Sequence, residues 1–82
     1  MTRETFEETL DLLMERQPFM PFMVELHGGE RFEIDHPRAI AWGEGKGVFL
    51  GPGGVMRIFD NEGVVQIIDA PAHAIRSKKQ RK

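Results

Sequence analysis

The fold prediction depends mainly on the stretch Phe19–Pro37, which reads FMPFMVELHGGERFEIDHP. Apolar and polar residues alternate on both sides of a Gly-Gly pair, and this period of two is typical of half-buried strands. If the apolar side chains share one face, Leu26 pairs with Phe32 across the loop Gly28-Gly29-Glu30, where glycine supplies the positive φ angle. The stretch therefore predicts a β-hairpin.

The segment before the hairpin, residues 5–16, predicts one amphipathic helix. Apolar side chains recur at helical spacing and form a single stripe. The residues of the stripe are Phe6, Leu10, Leu13 and Met14. Thr5 with Glu8 fits a capping box, Thr2 is an alternative N-cap, and Pro18 ends the helix.

Past the hairpin, the sequence predicts short strands separated by glycine-rich turns. The predicted strands are 48–50, 55–59 and 64–68, with a strand or loop at 39–42, and the predicted turns are 43–47, 51–54 and 60–63. One helix followed by four or five short antiparallel strands predicts an α+β, mostly β domain over residues 1–75. We expect a small, strongly bent sheet or barrel with the helix across one open end.

Composition limits the class of protein. The chain has 82 residues, enough for one domain, and no cysteine, which excludes disulfides and thiolate metal sites. No apolar run approaches the roughly 18–20 residues that cross a bilayer. The acidic, polar N-terminus is unlike a signal peptide. We therefore expect a soluble cytoplasmic protein.

Charge is distributed unevenly along the chain. The net charge is −2, but residues 76–82 carry five basic side chains and no acidic one. The basic residues are Arg76, Lys78, Lys79, Arg81 and Lys82. The remaining 75 residues hold six basic and thirteen acidic side chains, a net charge of −7. We expect a disordered tail. A tail of this kind is typically a solvated end that aids solubility, and it is also the one segment that would attract RNA, DNA or an acidic partner.

The opening stretch also contains candidate chemical groups. His27 and His36 fall on opposite faces in the predicted register, which disfavours a shared metal ion. Glu25 and Glu33 would lie directly opposite one another, as a general acid and base could. A flat solvated face with Arg31 nearby favours a charged solvent surface instead. We expect no enzymatic activity, no metal and no cofactor.

Two other features could indicate ligand binding. Gly43–Gly47 contains Lys46 among glycines, but it lacks the spacing and the following helix of a phosphate loop, so we interpret it as a turn. Trp42 and Phe49 could stack on nucleic-acid bases. Because few basic residues accompany them, we interpret both as core or interface residues.

The last predicted strand, VVQII at 64–68, is apolar on both faces. An uncharged, β-prone strand of this kind is an aggregation hazard if its edge stays open. We therefore predict that this strand, or its neighbour at 55–59, pairs with another subunit. The predicted interface residues are Val64, Val65, Ile67 and Ile68. The alternative is a monomer in which the helix covers the second face.

Two pieces of the chain resemble Sm-like small barrels. MVELHGGERFEID, residues 23–35, is similar to the first two Sm strands, and VMRIFDNEGVVQIID, residues 55–69, is similar to the closing pair. The resemblance implies an Sm-like barrel over about residues 5–69. The uridine-binding loop of that family has no match within 35–47, and its closing signature is replaced by residues 60–63. The resemblance therefore implies no RNA-binding residue.

A second resemblance covers more of the chain. The layout F-x(n)-L-L, P-F-x-P-F, L-x-x-G-x-x-F and H-P resembles that of a set of short bacterial proteins. It implies a compact bacterial domain and no particular activity. Together these observations predict a non-enzymatic small β-barrel that acts as a homo-oligomer or partner-binding module. The alternative is a nucleic-acid-binding regulator that uses the basic tail.

Overall fold

The computed structural model describes residues 1–74, which form one α-helix, six strands and short helical turns. The main elements, in chain order, are α1 (Arg3–Glu15), β1 (Phe22–Leu26), β2 (Arg31–Ile34), β3 (Ile40–Gly43), β4 (Lys46–Leu50), β5 (Met56–Asp60) and β6 (Val64–Ile68). Short 3-10 turns at Pro52–Gly54 and Asn61–Gly63 join β4 to β5 and β5 to β6.

The N-terminal helix begins two residues earlier than the predicted segment. Thr2 is the N-cap, and its side-chain oxygen accepts a hydrogen bond of 3.1 Å from the backbone N–H of Thr5. The predicted apolar stripe is confirmed, because Phe6 and Leu10 are fully buried and their two neighbours on the stripe are partly buried. Within residues 1–74, no helix is long and apolar enough to cross a membrane.

The strands form two antiparallel sheets of three strands each. Sheet A has the order β2-β1-β6, and sheet B has the order β3-β4-β5. The predicted α+β class with short antiparallel strands is confirmed. The strand count exceeds the predicted four or five because residues 35–39 separate β2 from β3, and residues 40–43 form a complete strand.

The predicted register of the first hairpin is wrong by two residues. Val24, not Leu26, lies opposite Phe32, and Glu25 lies opposite Arg31. The turn decides the register: Leu26 N–H donates to the Glu30 carbonyl at 2.8 Å, which moves the three-residue loop from 28–30 to 27–29. Because strand side chains alternate with a period of two, this shift leaves the residues of β1 and β2 on their predicted faces, whereas His27 and His36 lie outside the strands.

The hairpin between β3 and β4 is tighter than the sequence predicted. Its loop is only Glu44 and Gly45, with φ angles of 56° and 77°, as a type I′ turn requires. Gly47, predicted to lie in the turn, is instead a buried residue of β4. A β-carbon at Gly47 would lie 2.6 Å from the ring of Phe59, which is its partner on β5. The Phe59 ring therefore occupies the space that a side chain at position 47 would need.

A β-bulge interrupts the pairing of β6 with β1. Leu26 pairs with Val64 and Glu25 with Gln66, so Val65 is an extra residue without a partner on β1. Val64 is fully buried, whereas Val65 is 43% exposed. The two residues therefore point to different sides despite their similar chemistry.

The core lies between the two sheets and beneath α1. Phe32 stacks on Phe49 with ring centroids 4.6 Å apart, and Phe6 meets Phe59 edge to face at 6.1 Å. These pairs join sheet A to sheet B and the helix to sheet B. The buried apolar residues of this core are Phe6, Leu10, Phe22, Val24, Phe32, Ile34, Ala39, Ile40, Phe49, Phe59 and Val64.

Candidate functional site

The outer surface of β4 and β5 carries a cluster of apolar side chains, three of them exposed and Val48 half-buried, which we call the β4–β5 face. It consists of Val48, Leu50, Met56 and Ile58. Leu50 pairs with Met56 and Val48 with Ile58, so the four side chains adjoin across the two strands. Leu50 is 50%, Met56 60% and Ile58 73% exposed. A contiguous apolar surface of this kind is typical of an interaction site.

Alternation along β5 explains why these side chains point outward. Phe59 fills the core, so Arg57 lies on the same inner side and the intervening Ile58 faces out. At the rim of that inner side, the Arg57 guanidinium forms an ion pair with the carboxylate of Glu30 in the first hairpin. The ion pair links sheet B to sheet A.

The β5 strand is also an edge strand. Among residues 1–74 it pairs with β4 alone, so one side of its backbone has no strand partner. The other edge of sheet B, β3, packs against α1, where Trp42 Nε1 donates to Asp11 at 3.1 Å. An open edge beside an apolar face can accept a strand from another chain.

The outer face of sheet A has a different chemistry. Glu25 accepts hydrogen bonds from Arg31 Nε at 3.3 Å and from Gln66 Nε2 at 2.7 Å, so one carboxylate connects all three strands. The hydrogen bond from Gln66 and the charge of Arg31 hold the pKa of Glu25 below its ordinary value. The group is a structural anion bound by its neighbours.

The predicted opposition of Glu25 and Glu33 is wrong, because the register places Glu33 opposite Met23. The Glu33 carboxylate instead accepts a 3.1 Å hydrogen bond from the backbone N–H of Ala72. This bond places the segment after β6 over the outer face of sheet A. Met23, on the same face, is only 4% exposed.

The two histidines of the opening stretch lie in separate surface segments. His27 is exposed in the first hairpin turn. His36 accepts a hydrogen bond at Nδ1 from the backbone N–H of Arg38, and its Nε2 lies 3.9 Å from Asp35. Within residues 1–74, no three histidine or acidic side chains form a group that could hold a metal ion.

The two aromatic residues considered for base stacking are packed within the fold. Phe49 is 6% exposed and stacks on Phe32, and Trp42 is half-buried against α1. Both positions agree with the interpretation as packing residues. The lysine considered for phosphate binding, Lys46, opens β4 and pairs with Asp60 on β5.

The β-bulge places the predicted interface residues of β6 on different sides of sheet A. The Val64 side chain belongs to the core, and Ile67, opposite Val24, is half-buried. Val65 is exposed, and Ile68, opposite Met23, is half-buried on the outer face. Their role at an interface stays a prediction. The predicted nucleic-acid contacts, Arg76, Lys78, Lys79, Arg81 and Lys82, lie outside the described residues.

Sequence reasoning named the segment 55–59 but missed the individual exposed residues Met56 and Ile58. The alternating pattern Met-Arg-Ile-Phe does not by itself say which side faces the core. The available signal was Gly47, since a glycine inside a strand indicates close approach of a large side chain from a neighbour. Pairing Gly47 with Phe59 would have placed Ile58 on the outer side.

No family model matches this chain, and neither the curated proteins nor the solved structures that were searched contain a significant match.

Proposed function

We propose that this protein is a non-enzymatic β module that acts by association, as a homo-oligomer or with a partner protein. The observation that carries the proposal is the β4–β5 face, where Leu50, Met56 and Ile58 are each at least half exposed. Removing such side chains from water contributes roughly 25 cal/mol for each Å² of apolar surface buried. Adding a strand to β5 would pair the open backbone edge, and the outward side chains of the added strand would shield the flanks of Met56 and Ile58 from water.

The edge strand β6 is the second strand considered for this association. It carries the exposed Val65, and it belongs to the opposite sheet from β5. An edge of one copy that pairs with a different edge of the next gives a head-to-tail contact, which closes into a ring or continues as a filament. Two β5 edges that pair with one another give a dimer.

An Sm-like small barrel is the architecture that we propose for the module. Its support is the order of elements: an N-terminal helix comes first, and the first strand pairs with both the second and the last. A tight 3-10 turn, Asn61–Gly63, joins the closing pair of strands. No RNA-binding role is carried over with this architecture.

Light scattering on the purified protein at micromolar concentration tests the association. The decisive variants are Ile58→Lys on the β4–β5 face and Val65→Lys on the β6 bulge. Both side chains point outward, so neither lysine has to be accommodated in the core, unlike a lysine at Ile67. We expect wild-type assemblies that Ile58→Lys converts into smaller, folded particles.

Comparison of Ile58→Lys with Val65→Lys also identifies which strand, β5 or β6, lies at the interface. Smaller particles with Val65→Lys and not with Ile58→Lys would assign the interface to β6. A monomeric wild type, together with an Ile58→Lys variant that behaves identically, would overturn self-association. Association with a partner protein would then be what remains of the proposal, and Ile58→Lys should abolish that binding.

The second candidate function, nucleic-acid regulation, is favoured by the charge asymmetry of the chain. Five basic residues in 76–82 follow a body with a net charge of −7. Neutralising five phosphates of a single strand would give a log–log salt slope of about −3.5. Truncation after Ile75 should abolish the binding, and undiminished binding by the truncated protein would contradict this role for the tail.

A further inference from the structure

A cleft with a volume of about 570 Å³ opens where the end of β2 approaches the turn between β4 and β5. This volume lies within the range of roughly 300–1,000 Å³ that is typical of small-molecule sites. The cleft is separate from Met56 and Ile58, and it adjoins the β4–β5 face only through Leu50.

The floor of the cleft is apolar and rigid. The stacked rings of Phe32 and Phe49 line it, and their position is set by the core because they are only 7% and 6% exposed. Leu50 and Val55 form an apolar wall and are 50% and 54% exposed. A ligand with an apolar group about the size of a phenyl ring would remove this wall from water.

The rim of the cleft is polar and carries more negative than positive charge. Glu33 and Asp35 line one side with His36, and Arg57 is the cationic residue that lines the cleft. The Arg57 charge is offset by its ion pair with Glu30, and the Glu33 carboxylate accepts its hydrogen bond from the Ala72 N–H, so Asp35 is the rim carboxylate that a cation would meet. The Asp35 side chain is 63% exposed, so its carboxylate is accessible to a ligand.

The charge of the whole domain acts in the same direction. Residues 1–75 have a net charge of −7, which attracts cations and repels anions at long range. The charge of the rim and the net charge of the domain therefore both favour a cationic ligand. The apolar wall favours a ligand with an aromatic or branched alkyl group. These two requirements together define an amphipathic cation.

We propose that this cleft binds a small amphipathic cation, in which an aromatic or branched apolar group is joined by a short linker to an ammonium or guanidinium. The apolar group contacts Leu50, Val55 and the aromatic floor, and the cation contacts the Asp35 carboxylate. This binding site is additional to the proposed association surface, and neither requires the other.

Nuclear magnetic resonance titration of the full chain tests the proposal with three probes of matched size. The probes are 2-phenylethylammonium, neutral 2-phenylethanol and anionic 3-phenylpropionate. We expect millimolar affinity for the ammonium probe, as is normal for a fragment of this size, with shifts concentrated at Asp35, Leu50 and Val55. The alcohol should bind more weakly, and the anion should cause the smallest shifts.

Two exposed positions provide variants that leave the core intact. Asp35→Asn should weaken binding of the ammonium probe about two- to five-fold, the size expected for an exposed ion pair, and should leave binding of the alcohol unchanged. Val55→Ser should weaken both by about two-fold or more by shortening the apolar wall. Glu8→Gln, an exposed helical carboxylate outside the cleft, is the matched control and should change neither.

Three results would overturn the proposal: no shifts in the cleft at saturating probe, equal binding of all three probes, or equal loss with Asp35→Asn and Glu8→Gln. The titration is made in the Ile58→Lys background as well as in the wild type. Cleft binding that persists in both backgrounds separates this site from the association surface, whatever light scattering shows.

Discussion

The outer faces of the two sheets differ in what covers their apolar side chains. On sheet A, Met23 is 4% exposed, its cross-strand partner Glu33 binds the chain that follows β6, and Glu25 connects the three strands through Arg31 and Gln66. On sheet B, Met56 is 60% exposed. Both are three-stranded antiparallel sheets with a methionine on the outer side. The difference teaches that the same residue type on the outer side of a sheet can be buried or exposed, depending on its polar neighbours and on the rest of the chain.

The two methionines give the largest expected contrast. Met23→Ala should destabilise the protein by about 2–4 kcal/mol, because it removes a buried side chain and leaves a cavity. Met56→Ala, the matched control, should change stability by no more than about 0.5 kcal/mol. Urea unfolding in the Ile58→Lys background measures both without a contribution from association. Equal losses would show that the faces are covered equally.

A smaller effect is expected where the chain after β6 is attached to sheet A. Glu33→Ala removes the acceptor for the Ala72 N–H and should destabilise the domain by about 0.5–1.5 kcal/mol. Amide exchange at Ala72 should become faster in this variant. Glu62→Ala, at an exposed residue of the turn before β6, is the control and should affect neither quantity. Unchanged exchange at Ala72 would mean that other contacts hold the cover in place.

The smallest expected effect concerns the carboxylate that joins the strands of sheet A. Its pKa is held below the ordinary value of 4.5, so deprotonated Glu25 stabilises the folded state above that pH. This stabilisation should be lost as the pH falls from about 5 through the lowered pKa. Glu25→Gln should therefore make the melting temperature fall less steeply with acid. An unchanged slope would show that Glu25 makes no contribution to the pH dependence.

The sequence predicted the helix, its buried stripe and the face of each residue in β1 and β2. Alternation with a period of two shows which face of the sheet each side chain occupies. It does not distinguish two registers that differ by two residues, because both place every side chain on the same face. Only the turn distinguishes them, and the hydrogen bond from Leu26 to Glu30 was not evident from two adjacent glycines. Val24 therefore faces the core as predicted, although it has a different partner.

The last strand shows a different limit of sequence reasoning. Val64 and Ile67 both face inward although they are three residues apart, because Val65 is the extra residue of a bulge. Regular alternation would have placed them on opposite sides, which led to the prediction of a strand apolar on both faces. The exposed apolar surface lies instead on β5. Its orientation follows from the burial of Phe59, which depends on tertiary packing.

The contact between Gly47 and the Phe59 ring has a consequence for how this sequence can evolve. The aromatic ring occupies the volume that any side chain at position 47 would need, so alanine there must displace a core residue. Shortening Phe59 to leucine would vacate part of that space, but the same change alone would leave a void. Among sequences that share this fold, positions 47 and 59 should therefore vary together, with a small residue at one whenever the other is aromatic. Such a correlated pair would define the strand register of sheet B from sequences alone.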